Sequence, residues 1–180
     1  MGRGLRHAVE LSRGCHVNLN VRVCSLDGRP REVTRRPQNG LEFDTVRSHG
    51  VRRETFCRTG GFDPGMRQLG GNDNEISCRF WLLGYELLVV PAVEVGHLFR
   101  MTTPYEARWT ALVHNRLRMA FVHFGASRVE RVLNALRVYN AFPAAMAMML
   151  DTDVFARRAL VAGDRRFDDA WYFQKFALEC

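Results

Sequence analysis

From Tyr105 onward, Tyr105, Trp109, Leu112, Val113, Leu117, Ala120, Phe121 and Phe124 recur at steps of three and four, with Arg108, Arg116 and Arg118 falling largely between them. That period puts the apolar residues on one side of a helix, so this stretch is expected to be helical and to need a partner to bury it. Its start is marked by Thr103-Pro104-Tyr105-Glu106, which combines an N-cap residue, proline at the first helical position and a capping-box glutamate. Gly125 stops it. Ser127-Arg128-Val129-Glu130 reads as a second capping box, opening a helix to about Tyr139. Pro143 then starts a small helix in which Met146, Met148 and Met149 read as core filler. Asp151–Asp153 reads as the cap of a further helix through Val161. Phe167–Leu178 closes the chain with an aromatic face of Trp171, Tyr172 and Phe176. Residues 103–180 are therefore expected to form a helical region.

The preceding segment, 51–102, is organised by glycine and proline. Arg53–Thr59 reads as a short helix closed by Gly60-Gly61, and Phe62-Asp63-Pro64-Gly65 has the composition of a turn. After Gly70-Gly71, Asn72 stands as an N-cap with Glu75 three residues later, the capping-box spacing. The helix would run from about Asp73 to Leu83 with Ile76, Phe80 and Leu83 as its apolar face, widened by Trp81 and Leu82, and with Gly84 just past its end. Tyr85 to Val90 reads as a strand ended by Pro91. Val93 and Val95, extending toward His97 and Phe99, read as another.

Residues 1–50 form a basic lead-in with weak patterning; Val17, Leu19, Val21 and Val23 alternate with polar residues as one strand would. The formal net charge is +7. Most of the excess lies here, and Lys175 is the only lysine, so the basicity reads as arginine usage from a GC-rich genome rather than a nucleic-acid groove. The aromatic residues follow helical core spacing, not that of a base-stacking platform, which makes nucleic acid the least expected partner. The five cysteines are odd in number with no CxxC pair, which argues against a disulfide framework or zinc knuckle. No apolar run approaches the ~20 residues of a membrane span, and Met1–Glu10 lacks a signal-like apolar core. The expected location is cytoplasmic, in solution or peripheral to a membrane.

Three ordered motifs, Gly60-Gly61-Phe62-Asp63-Pro64-Gly65-Met66, Gly70-Gly71-Asn72-Asp73-Asn74-Glu75 and Gly96-His97-Leu98-Phe99-Arg100, resemble the C-terminal catalytic part of glycosyltransferases with the GT-A fold. The likeness extends to bacterial family-2 transferases, the galactosyltransferase C-terminal region and the polypeptide N-acetylgalactosaminyltransferases, over Arg53 to Arg100. It implies an α/β fold, a partial GT-A domain holding its acceptor-side half, followed by the helical extension. It also implies a nucleotide-sugar donor, a carbohydrate or other hydroxyl acceptor and a divalent metal, Mn or Mg. Two positions depart from the family pattern: Leu69 replaces a common Trp, and Asn72 replaces Glu. Residues before Arg53 show neither a DxD-type metal motif nor a βαβ series, so the donor-binding half is expected from a missing N-terminal segment or a partner chain.

Glycosyl transfer needs a base at the acceptor hydroxyl and neutralisation of the leaving diphosphate. Asp73, matching the acid of the Gly-Gly-Glu-Asp motif, is the candidate base; it would equally complement the positive end of its helix. The resemblance makes His97 a metal ligand, though a histidine at a strand end also serves as a hydrogen-bonded structural residue. Arg100 is a candidate phosphate contact or a solvated strand-end charge. Gly61, Phe62 and Asp63 are candidate shapers of the acceptor pocket as well as turn residues. Gly70, Gly71 and Asn72 would bring backbone close to the sugar. Asp151-Thr152-Asp153 has DxD spelling but stands before a helix, hence its reading as a cap. The competing function is a non-catalytic carbohydrate-binding or interaction protein on the same scaffold.

Overall fold

The structure, a computed structural model, describes residues 16–19, 49–68, 70–90, 106 and 108–178. Helices hold most of them, and the strands are short. The chain divides into two units: Met1–Gly61 with Tyr85–Thr103, and Phe62–Gly84 with Pro104–Cys180. The expected strand through Val93 and Val95, and the helix-start signal Thr103–Tyr105, lie outside the described residues.

In the first unit, β1 (His16–Leu19) lies between β2 (His49–Gly50) and β3 (Leu87–Val90). It runs antiparallel to β2, with Val17 opposite Gly50, and parallel to β3, with His16 opposite Leu87 and Leu19 opposite Val90. Helix α1 (Arg53–Arg58) ends at Thr59 as the Gly60-Gly61 pair predicts. The Gly61 amide returns to the Phe56 carbonyl, and Gly61 packs on the Phe56 ring. Arg58 donates to the Tyr85 hydroxyl and lies over its ring.

The second unit is helical: α2 (Asn72–Leu82), α3 (Trp109–His123), α4 (Ala126–Leu136), α5 (Phe142–Leu150), α6 (Val154–Asp164) and α7 (Asp169–Lys175). Helix α3 is central, packing on α4, α5 and α6. Val113, Leu117 and Val122 of α3 meet Leu136, Ala145, Met149, Val154 and Val161 in one core. Met149 is the core filler expected and Met146 packs at its margin, whereas Met148 is exposed. The last carbonyls of α3 have no intrahelical partner and need donors from elsewhere. Arg158 of α6 donates to the Phe121 and Phe124 carbonyls, and Arg165 to that of His123.

Helix α2 buries Ile76, Cys78, Phe80 and Leu82, and Gly84 follows it at φ 86°, the left-handed backbone that favours glycine. The Leu82 carbonyl accepts from the Arg166 and Phe167 amides, linking α2 to the approach of α7. Asp168 caps α7, accepting from the Trp171 amide at 2.8 Å. Trp81 meets Phe176 edge to face, and the Lys175 ammonium lies 4.9, 5.3 and 5.9 Å from the ring centres of Trp81, Trp171 and Phe176. Among the described residues no helix is long and apolar enough to cross a membrane.

Three helix starts differ from the sequence expectation. Helix α3 begins at Trp109, with Arg108 extended at its N-cap. Gly71, not Asn72, is the N-cap of α2, and Gly125, not Ser127, that of α4. Neither glycine can offer a side-chain cap, so neither capping box forms. Asp153 does stand at the N-cap of α6, but its side chain makes no cap bond.

Candidate active site

Asp63 is buried, and its carboxylate is fully engaged. Oδ1 accepts from the Gly65 amide at 3.0 Å and from Arg118 Nη2 at 2.7 Å, while Oδ2 accepts from Arg118 Nε at 2.8 Å. The fork of a guanidinium matches a carboxylate in this two-bond geometry. Arg118 is itself fully buried on α3 and reaches Thr152 Oγ1 and Asp153 Oδ1, each at 2.8 Å. The Asp151–Asp153 segment, expected to cap a helix, therefore spends two of its side chains on a buried arginine. Burial disfavours the Arg118 charge, but the bonds and charges of Asp63 and Asp153 outweigh it and raise the arginine above its ordinary value. In the helical period of the sequence Arg118 falls between the apolar positions. The signal that finds it is the polar set His114, Asn115 and Arg118 on a helix otherwise buried nearly all round.

Phe62, next to Asp63, is 52% exposed. The loop from Arg67 to Gly71 is held by Asn115, whose side chain bonds the Arg67 amide and carbonyl and the Gly70 carbonyl, each at 2.7 Å. Gly70 has φ 106°, and a Cβ there would run into Leu112 of α3. What approaches this glycine closely in the structure is thus helix α3. Gly70→Ala is expected to cost about 1–3 kcal/mol from overpacking and left-handed strain. Thermal unfolding checks this, and an unchanged midpoint would refute the close approach.

Asn72 and Asp73 are the first two residues of α2, both half-buried. Among the described residues no hydrogen bond or ion pair occupies the Asp73 carboxylate, whereas Asn72 Oδ1 and Asn74 Oδ1 are buried atoms without a partner. His97 and Arg100 lie outside the described residues. Among those described, no group of three His, Cys, Asp or Glu is placed to hold a metal ion.

Glu75 does not reach back to cap α2. It is buried, and Oε1 accepts from Arg79 Nε at 2.7 Å and bonds His123 Nε2 at 2.9 Å, while Oε2 accepts from Arg79 Nη2 at 3.1 Å. Burial pushes the Glu75 carboxyl up. The His123 bond, with the charges of His123 and Arg79, more than reverses this and holds it at about 2. His114 lies elsewhere on α3, with Nδ1 on Asn115 Oδ1 at 3.0 Å; burial lowers its pKa. The two histidines, nine residues apart on α3, thus serve separate networks. Burial raises the Cys78 thiol well above its ordinary value, so that cysteine is an inert core residue; it and Cys57 are free.

No family model matches the chain. Curated proteins do match, and the class they define is the glycosyltransferases. The relatives are N-acetylgalactosaminyltransferases, as the three motifs led one to expect. Polypeptide N-acetylgalactosaminyltransferase 11 of Xenopus tropicalis is 44% identical over 72 residues, covering 39% of this chain and 12% of the relative. Probable N-acetylgalactosaminyltransferase 8 of Caenorhabditis elegans is 32% identical over 103 residues, covering 53% of this chain and 24% of the relative. Polypeptide N-acetylgalactosaminyltransferase 5 of the same organism is 32% identical over 119 residues, covering 62% and 19%. The chain therefore spans about an eighth to a quarter of the length of these relatives.

Proposed function

We propose that the chain carries the acceptor side of a glycosyltransferase that moves N-acetylgalactosamine from a nucleotide-sugar donor to a polypeptide hydroxyl. The observation that carries this reading is the 44% identity with a polypeptide N-acetylgalactosaminyltransferase over 72 residues. Asp73 is the residue assigned to the chemistry. Its carboxylate sits in the first turn of α2 with no ionic partner among the described residues, so it is available to take the proton of an attacking hydroxyl. Phe62 offers an exposed apolar ring to the acceptor, while Asp63, locked to Arg118, sets the turn from which that ring projects. Gly71 and Asn72 bring the backbone to the acceptor, and Gly61, Gly70 and Arg100 are assigned to substrate on the resemblance alone. A divalent metal, with His97 as its ligand, would neutralise the leaving diphosphate. The donor-binding half belongs to a further segment or a partner chain.

The test uses the complete protein, with UDP-N-acetylgalactosamine and a threonine-containing peptide. Asp73→Asn is expected to lower kcat by about 100- to 10,000-fold, the range for a positioned general base, with the circular dichroism spectrum unchanged. Unaltered turnover in this variant removes Asp73 from the mechanism.

A further inference from the structure

We infer that Asn115 is the positioning residue for Asp73, a role that rests on the acceptor-side reading above. Its side chain is fully buried on α3, and all its hydrogen-bonding capacity is used. Nδ2 donates to the Arg67 and Gly70 carbonyls, each at 2.7 Å. Oδ1 accepts from the Arg67 amide at 2.7 Å and from His114 Nδ1 at 3.0 Å. The network fixes the amide orientation, since exchanging N and O would set donors against donors. It also fixes the His114 proton on Nδ1, because Oδ1 can only accept.

Three of these four bonds go to backbone groups of the loop that leads into α2. Gly70 is held from one side by the amide and from the other by Leu112, one turn earlier on α3. Gly71 follows and caps α2, its carbonyl accepting from the Glu75 amide at 2.9 Å. Asp73 is three residues from the anchored Gly70. No other small side chain supplies two donors for carbonyls and an acceptor for an amide at one place: an aspartate loses the donors, a serine has one. A shift of about 1 Å in a positioned group costs on the order of 100-fold in rate, so the clasp reaches the reacting carboxylate through the loop without touching substrate.

The experiment compares Asn115→Ala, Asn115→Asp and Met149→Ala in the complete protein. Met149→Ala weakens the core remote from the loop and controls for stability. Peptide glycosylation from UDP-N-acetylgalactosamine gives kcat and KM, and selective ¹³C labelling of aspartate carboxyls follows the Asp73 resonance, assigned by its loss in Asp73→Asn. Both Asn115 variants are expected to lower kcat by about 100-fold, to leave the donor KM within a few-fold, and to move the Asp73 resonance. Met149→Ala should leave the resonance in place. Should Asn115→Ala fail to fold, Asn115→Asp, which keeps the acceptor for the Arg67 amide, carries the test. An unmoved resonance, or undiminished kcat, overturns the positioning role. Absence of transfer by the unaltered protein overturns the functional reading alone, and the resonance still decides whether Asn115 holds Asp73.

Discussion

Arg118→Met is expected to lower the stability of the chain by about 3–5 kcal/mol, because it strips the partner from a buried carboxylate. Arg118 and Asp63 both have side chains with no exposed area, whereas the Asp153 side chain is 58% exposed. Solvent can replace Arg118 at Asp153, so that contact contributes little; it cannot do so at Asp63. Such a loss is about a fifth or more of the ~5–15 kcal/mol that holds a typical domain together. Urea unfolding followed by tryptophan fluorescence measures it. The double variant Arg118→Met/Asp63→Asn should recover part of the loss, since the asparagine oxygen can still accept from Gly65 and no charge is stranded. Equal midpoints for Arg118→Met and the unaltered chain would show that the pair does not hold the loop.

Glu75→Gln is expected to have the second largest effect and to change the acid response of the fold. The glutamate lies between Arg79 and His123, both with buried side chains. Neutralising it leaves the Arg79 guanidinium buried beside an uncharged amide, a loss of about 3–5 kcal/mol at neutral pH. The carboxyl is held at about 2 against an ordinary 4.5. Its contribution is therefore fully present above pH 4.5, is lost progressively as pH falls below that value, and is gone below about 2. The depression corresponds to on the order of 3 kcal/mol. Urea midpoints recorded from pH 6 to pH 2 should fall steeply for the unaltered chain and less steeply for Glu75→Gln. Parallel curves would mean that Glu75 is not the group coupling acid to unfolding.

The helices were largely legible from the chain alone. The period of Ile76 and Phe80, followed by Gly84, set the limits of α2 to within a residue, and Pro143 marked α5 because proline suits a first helical turn. The caps were not legible. Asn72 with Glu75, and Ser127 with Glu130, have capping-box spacing, yet Glu75 is claimed by a histidine 48 residues away. The Phe62–Gly65 turn could be read from its composition, but the reason Asp63 is buried lies 55 residues further on, at Arg118. A buried ion pair leaves no local trace, since each member looks like an ordinary surface charge until its partner is brought to it. The same holds for Gly70. Its need to be glycine was visible, and the group that crowds it, Leu112, was not. Of the candidate site, the place of Asp73 at a helix start follows from the Gly-Gly pair, while the Asn115 clasp depends wholly on how α3 packs.

The ring of aromatic residues around Lys175 has a practical consequence. Lys175 is the only lysine in the sequence, so a lysine-specific endoprotease has a single peptide bond to attack, at the end of α7. That bond becomes a substrate once the last turn of α7 opens and the ammonium leaves the faces of Trp81, Trp171 and Phe176. One cut, and the rate at which it appears, therefore clocks the opening of that turn without any label or engineered site.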